Sequence, residues 1–489
     1  MKPYSSLICT ALSVAILTGC GGSSGGGGDN SGSSNNGGGN GGPLPVPVEK
    51  HVFAANDGIH SFQLWITDGT ESGTTMLKQI SQNSSSHPDK FVRFSDQWFF
   101  AADDGDNGRE LWKTDGTEAG TVMVKDIHPT DHSNPGELVV VGDTLYFMAN
   151  DPDYGMTLYK TQGTAATTTR IRDLIPNGTD QISELTALGN KVYFRAYTPD
   201  FGHELWVSDG TEAGTKRLSD IATGGATSDV KQLTVAGGIL FFSARDSSND
   251  EELWKLDGES VVQVKNINTG TSSRPQYLTA VGDTLFFSAT GPDGQELYKS
   301  NGESSGTVLV KDIYTNSGIQ PQGVQAQSAV NSSYPQNLYA LNDTLYFIAR
   351  TAADGKELWK SDGTEAGTVM VKSINSASGS SFPADLFRVG NKLMFTAHDG
   401  MTRDLWVSDG TESGTQKVMN TTSDNSDSKV VSLAAGQYLG VDMLSVGDSV
   451  LLGVRGELGD ELWKTDGTTE GTSIVRDINE GADSSLIIR

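Results

Sequence analysis

The chain has 489 residues, enough by length for about three average domains, and 36% of them are hydrophobic, so a packed globular fold is feasible. Asp and Glu number 61 against 35 Lys and Arg, a formal net charge of −26, which argues against nucleic acid as a partner because phosphate contacts need clustered Lys and Arg. Both cysteines, Cys9 and Cys20, fall within the first twenty residues, so the remainder carries no disulfide, no cysteine-based zinc site and no thiol nucleophile.

In chain order, Met1-Lys2-Pro3-Tyr4 is a short, weakly basic start, and Leu7 to Leu17 is an apolar run too short to span a bilayer. Next comes Leu17-Thr18-Gly19-Cys20, the layout of an export signal cleaved after a small residue. These four residues resemble the lipobox of bacterial lipoproteins. The resemblance implies cleavage before Cys20, a diacylglycerol on its sulfur and an acylated amino group, and several acyl chains anchor firmly. Gly21, where that family's retention signal has Asp, implies the outer membrane, with the side it faces left open. Residues 21–42 hold twelve glycines with Ser, Asn and one Asp, a flexible coil reaching about 25 Å. Pro43, Pro45 and Pro47 stiffen the chain into an extended neck. The expected organisation is a signal peptide over 1–19, a lipidated linker over 20–48 and a single repeat domain over 49–489.

That domain repeats a Glu-Leu-Trp motif whose aromatic falls at Trp65, Trp112, Tyr159, Trp206, Trp254, Tyr298, Trp359, Trp406 and Trp463. The intervals are 47, 47, 47, 48, 44, 61, 47 and 57, and of eight tryptophans only Trp98 lies elsewhere. Such a period decides the fold. A clear copy runs from Glu110-Leu111-Trp112 through Asp115-Gly116-Thr117 to Gly120-Thr121 and Ile127. The third copy is worn, with Gln162 for Asp; the fifth is shortened after Asp257-Gly258; the sixth has Asn301.

Each copy carries four strand signals separated by turn residues, as in Val141-Gly142-Asp143-Thr144-Leu145-Tyr146-Phe147. No segment keeps a helical period. Four antiparallel strands in about 47 residues make one propeller blade. The sequence therefore predicts an all-β, closed propeller of nine blades, with eight as the alternative. Each motif aromatic should be a wedge between neighbouring sheets. The first copy starts on its second strand, His51-Val52-Phe53-Ala54-Ala55, and Ser484–Ile488 reads as the missing first strand, so the two termini should share one blade.

The copies resemble the bacterial ELWxxDGT repeat family over about residues 51–480. That resemblance implies exported, envelope-associated proteins without a settled activity. Ala102, Asp104, Gly108 and Trp112 also resemble the tryptophan-docking motif of quinoprotein dehydrogenases, while the copy at Ala196, Gly202 and Trp206 has Thr198 at the Asp position. In that family the motif girdles the ring and does not hold the quinone. The Asp-Gly-Thr turn is similar to the Asp-box of sialidase-like propellers but lacks its aromatic spacing.

Repeated residues read as structural. Asp68, Asp115, Asp209, Asp257, Asp362, Asp409 and Asp466 should fix turns through local backbone donors. The acids before Leu-Trp (Glu110, Glu204, Glu252, Glu296, Glu357, Asp404, Glu461) should accept from backbone or from a Lys on the next strand. Asp104 and Asp106 with Glu110 place oxygens and glycines as calcium prefers, although not in an EF-hand pattern. The seven histidines share no repeat position, and His128, Asp131 and His132 are a thin transition-metal candidate. Gly302-Glu303-Ser304-Ser305-Gly306 matches Gly-x-Ser-x-Gly but sits in a turn with no helix after it. Among 61 acids, only geometry would identify a glycosidase pair. Two insertions, Ile313–Tyr339 and Met419–Leu444, interrupt the period, the second holding Asp424, Asp427 and Asp442.

Without a non-repeated cluster in view, the expected function is a lipid-anchored, non-catalytic binding, adhesion or scaffold module for a protein or polysaccharide. The alternatives are an exported propeller enzyme (a glycan hydrolase or lyase, or a quinoprotein-like oxidoreductase) and a calcium-dependent adhesin. No cofactor is expected, with calcium kept open. The membrane through the lipid is the one partner named, and the chain is expected to be a monomer.

Overall fold

The computed structural model describes residues 49–174, 181–315, 332–375, 379–419, 445–456, 459–481 and 484–486. The export signal, Cys20, the tether and most of both insertions lie outside the described residues. Nine antiparallel sheets succeed one another in chain order, each built from consecutive strands. Blade 2 shows the pattern: Asp89–Phe94, Gln97–Asp103, Arg109–Thr114 and Val122–Lys125. The only helical turns among the described residues are two short 3-10 segments, Ala165–Thr167 and Ser304–Gly306. The fold is the expected all-β propeller, with nine blades; the worn third and shortened fifth copies are both complete sheets.

The first strands of blades 2 to 8 touch one another in turn and so form the inner ring around the axis. Alternation of side chains along the third strand explains the rest of the motif. Leu111 points to one face and packs with Phe147 and Tyr159 of blade 3. Its neighbour Trp112 points to the other and packs with Val52 and Leu64 of blade 1. Nine such apolar clusters form, one at each junction. Most motif aromatics are buried; Trp254 and Trp463 are half-buried at the edges of theirs.

The ninth junction closes the ring. Phe53, Ala55 and Trp65 of blade 1 pack with Leu451 and Leu462 of blade 9 and with Leu486 from the tail. The Asn56 N–H donates to the Ser485 carbonyl at 2.9 Å, so the tail meets the inner edge of blade 1. At the outside, the Arg476 guanidinium donates to the Thr74 carbonyl at 2.5 Å. Ile487 and Ile488, the rest of the expected latch, lie outside the described residues.

The Asp-Gly-Thr turn works as expected. Asp115 Oδ1 accepts from Thr117 N (2.9 Å) and Thr117 Oγ1 (2.7 Å), and Thr117 Oγ1 accepts from Gly120 N at 2.9 Å. The Thr117 hydroxyl bond comes first among the contacts that hold the Asp115 carboxyl below its usual range. Asp68, Asp209, Asp362, Asp409 and Asp466 repeat the arrangement. Asp257 departs from it. That blade reverses through Gly258-Glu259 alone, with Asp257 paired across to Ser260, so no Asp-centred turn forms.

The acid before Leu-Trp pins the crossover to the next blade. Glu110 is fully buried and accepts from Ile127 N (2.9 Å), Ser133 N (3.0 Å) and Ser133 Oγ (2.6 Å). Glu252, Glu296, Glu357 and Glu461 do the same with Ser273, Ser333, Ser381 and Ser485. The partners are backbone and serine; a lysine appears at Asp404, which Lys417 meets at 2.6 Å.

Candidate functional site

Antiparallel order puts the blade crossovers and the loops between second and third strands at one end of the propeller, and the Asp-Gly-Thr turns at the other. Among the described residues, the crossovers into blades 3, 5, 6, 7 and 8 end on a buried serine that binds the motif acid, and the crossover into blade 2 ends on buried Ser86. The next residue enters the inner strand with a left-handed backbone: His87, Asn134, Asp229, Arg274, Tyr334 and Phe382, with φ between 42° and 49°. Three residues later the inner strand bulges, again with positive φ, at Lys90, Glu137, Gln232, Tyr277, Asn337 and Asp385. Glu184 takes the same bulge position in blade 4 with φ 62°. None of these is glycine, although a left-handed L-residue costs on the order of 1 kcal/mol or more.

Part of the reason is structural. Glu137 Oε2 accepts from Leu185 N (2.9 Å), Glu184 Oε2 from Leu233 N (3.0 Å) and Gln232 Oε1 from Leu278 N (3.3 Å), so these side chains cap the bulge of the next blade. The residue type nevertheless changes from blade to blade, where the wedges and turns are nearly constant. The inner ring at the crossover end is therefore the place where the repeat is broken. Sequence reading missed it; the available signal was Ser-x-Pro, as in Ser133-Asn134-Pro135 and Ser273-Arg274-Pro275, with a variable residue after the serine.

Ionisable groups gather on blades 3 to 5. Asp229 stands 3.4 Å from Arg195, 3.7 Å from Lys231 and 3.8 Å from Arg245. Glu251, nearly buried, meets Lys231 at 2.7 Å and Arg245 at 3.1 Å and accepts from Ser243 Oγ at 3.0 Å. Burial pushes the Glu251 carboxyl up, but Lys231, Ser243 and Arg245 outweigh it and hold it low. Glu184 lacks such partners. It is 7% exposed, and burial pushes it up to about 7, with Glu137 adding repulsion against the pull of Leu233 N and Arg195. Glu137 is open to water yet walled by neighbouring blades, and desolvation raises it too. His203, tilted against Tyr197 at 5.1 Å, is lowered to about 4 by burial and by Arg195, so it stays neutral at physiological pH.

The other sequence candidates lie apart from this arc. Asp104 closes its own loop, accepting from Asp106 N and Asn107 N, while Glu110 turns inward to the crossover. The calcium candidates Asp104, Asp106 and Glu110 thus do not converge, and among the described residues no three His, Cys, Asp or Glu gather to hold a metal ion. His132 accepts from Arg109 N at 2.8 Å. Ser304 is exposed in a 3-10 turn, away from any strand-to-helix elbow. On the opposite end, a shallow groove of about 270 Å³ in the worn third blade is lined by Thr144, Lys160, Thr161, Gln162, Thr167 and Thr169. It holds no acid, and its Lys160 already donates to the Gly210 carbonyl at 2.7 Å, so the chemistry and the groove do not coincide.

The chain matches no protein-family description and no curated protein. Among solved structures it is similar to a puromycin-hydrolysing peptidase of Mycobacterium tuberculosis (10% identity, TM-score 0.41, covering 81% of this chain and 54% of that one). It is similar also to oligopeptidase B of Leishmania major (12%, TM-score 0.40, 71% and 49%). A third is the β-propeller domain of the Trilobed protease from Pyrococcus furiosus (12%, TM-score 0.35, 71% and 98%). The chain spans 54–60% of the length of the puromycin-hydrolysing proteins it matches. At these identities the likeness bears on the propeller fold alone. The expected non-catalytic binding, adhesion or scaffold role is nevertheless corrected. The inner ring carries the non-repeated ionisable cluster, Asp229, Glu251, Lys231 and Arg245 with Glu137 and Glu184, whose apparent absence had motivated that role.

Proposed function

We propose that the chain is an exported propeller enzyme, a glycan-active hydrolase or lyase, with Glu137 and Glu184 as its acid–base pair. The observation that carries this reading is the placement of two carboxyls on adjacent inner-strand bulges, both raised by desolvation, one to about 7. A carboxyl near 7 is populated in both protonation states at neutral pH, which suits general acid–base work. Glu137 is exposed on the inner strand and is assigned to meet substrate. Glu184 sits behind it, next to Arg195. One carboxyl protonates the departing oxygen and the other takes a proton from water or carbon, as paired carboxylates do in glycan cleavage.

Glu137→Gln and Glu184→Gln should each lower polysaccharide cleavage roughly 10²–10⁴-fold, read as new reducing ends or unsaturated products over a panel of polymers. Cleavage of casein that persists in both variants, or full glycan activity in both, would sink the proposal.

The export reading belongs with it. A lipobox at residues 17–20 and a glycine-rich tether support an outer-membrane lipoprotein of the ELWxxDGT kind, anchored through Cys20. Fatty-acid labelling of cells should mark the protein and should vanish in Cys20→Ser.

A further inference from the structure

We infer that the next arc of the inner ring, on blades 6 to 8, is a binding subsite for a neutral polysaccharide chain. This inference rests on the glycan-active reading above and names its substrate class. Blades 3 to 5 present ionisable groups; blades 6 to 8 present Gln276, Tyr277, Tyr334, Gln336, Asn337 and Phe382. Arg274 and Asp385 flank this set. Tyr277 and Phe382 are 40% and 55% exposed, among the few large hydrophobic side chains left open on the described surface. Tyr334 is held by the Arg350 guanidinium, 4.6 Å from its ring centre. All three aromatics have left-handed backbones, at φ 57°, 44° and 49°.

A bulky aromatic side chain is a poor fit to such a backbone, and Asn is among the better ones. Asn337 shows that the bulge, the position of Tyr277, can be built that way, and Asn134 shows the same for the strand entry that Tyr334 and Phe382 occupy. Aromatics at three successive blades therefore do something other than hold the turn. Flat apolar rings interleaved with amides match the alternating CH faces and hydroxyls of pyranose units, one ring per blade along the chain. The net charge of −26 repels polyanions. A protein partner would want one contiguous apolar core, whereas these rings are spaced a blade apart. The partner that fits is an uncharged polysaccharide, which has no uronate to acidify a C–H bond, so of the two proposed reactions hydrolysis is the one that remains.

The test uses the mature chain, its Tyr277→Asn and Phe382→Asn variants and their double, and Ile59→Asn, which changes an exposed apolar side chain of blade 1. Binding is measured by affinity electrophoresis and calorimetry to soluble β-glucan, xylan, mannan and α-glucan, with alginate, polygalacturonate and casein as comparators. At least one neutral polymer should bind. The double Asn variant should weaken it at least tenfold while melting at the same or a higher temperature, since Asn relieves backbone strain. Ile59→Asn should bind like the parent. Unchanged binding in the double variant, or a parent that binds only polyanions or casein, overturns the inference. If the Tyr277 and Phe382 variants lose binding but no polymer is ever cleaved by the parent, the subsite stands and the enzymatic reading falls.

Discussion

Gly120 is glycine for reasons of space. A β-carbon there would stand 2.1 Å from Asp115 Oδ1, inside the carboxylate that organises the turn. Gly116 is glycine for a different reason, a φ of +87°. The same pair of constraints recurs at Gly73 with Asp68 and at Gly367 with Asp362, which is why the Asp-Gly-Thr-x-x-Gly spelling survives in copy after copy. Two residues in mutual contact should not contribute independently. Asp115→Ala removes one local cap and should cost about 1 kcal/mol. Gly120→Ala alone should cost more, roughly 1–3 kcal/mol, because the new methyl collides with the carboxylate. In the double variant the collision is gone, so its loss in denaturant melts should be well below the sum of the two. Strict additivity would show that Asp115 is not what Gly120 makes room for.

At the scale of strands and crossovers, legibility depends on whether a position is constrained alike in every blade. The Leu-Trp pair must face opposite junctions, so it is spelled nearly the same nine times and could be read directly. The motif acid was legible as structural, but its main partner was not, because Ser133 lies 23 residues from Glu110 and no local pattern links them. The inner-strand bulge was invisible: an extra residue shifts the alternation of apolar and polar positions, and Lys90, Glu137, Tyr277 and Asn337 share no chemistry. The buried acids make a prediction of their own. Burial raises Glu296 and Glu461 from an ordinary value of 4.5 to about 7, against the serine and backbone bonds that favour the charged form. A folded state that holds the proton more tightly is favoured while the proton is bound. That contribution is complete below the unfolded value and is lost as pH rises through about 7. Each group is worth on the order of 3 kcal/mol over that range. Melting temperature should therefore fall between pH 5 and pH 8. Gln63 fills this position in blade 1, with Oε1 accepting from Ile80 N at 2.9 Å and Nε2 donating to three carbonyls, so Glu296→Gln has a native precedent. It should flatten the slope, and a profile parallel to the parent's would refute the assignment. The depressed Asp-Gly-Thr carboxyls act below about 3.8, outside this window.

For the whole molecule, nine blades leave nine junctions, and eight of them join sheets that are neighbours in sequence. The ninth depends on a short tail. Ser485 gives Glu461 both its N–H (3.2 Å) and its hydroxyl (2.6 Å), Leu486 is 3% exposed against Phe53 and Trp65, and the Ser485 carbonyl takes the Asn56 N–H. Removing Ser484–Arg489 would strip a buried carboxylate of donors and bare the inner edge of blade 1 in one step. Leu338→Ala offers the control, since Leu338 is buried at the junction of blades 6 and 7, where covalent continuity keeps both sheets in place. Leu338→Ala should cost roughly 2–5 kcal/mol and leave the protein's sedimentation unchanged. The tail deletion should lower stability and also cause concentration-dependent association, because an unpaired strand edge recruits another chain. Equal stability losses with no association in either variant would mean that the tail is one more patch of buried surface. Association confined to the tail deletion would mean that those few residues are what keeps the ring shut.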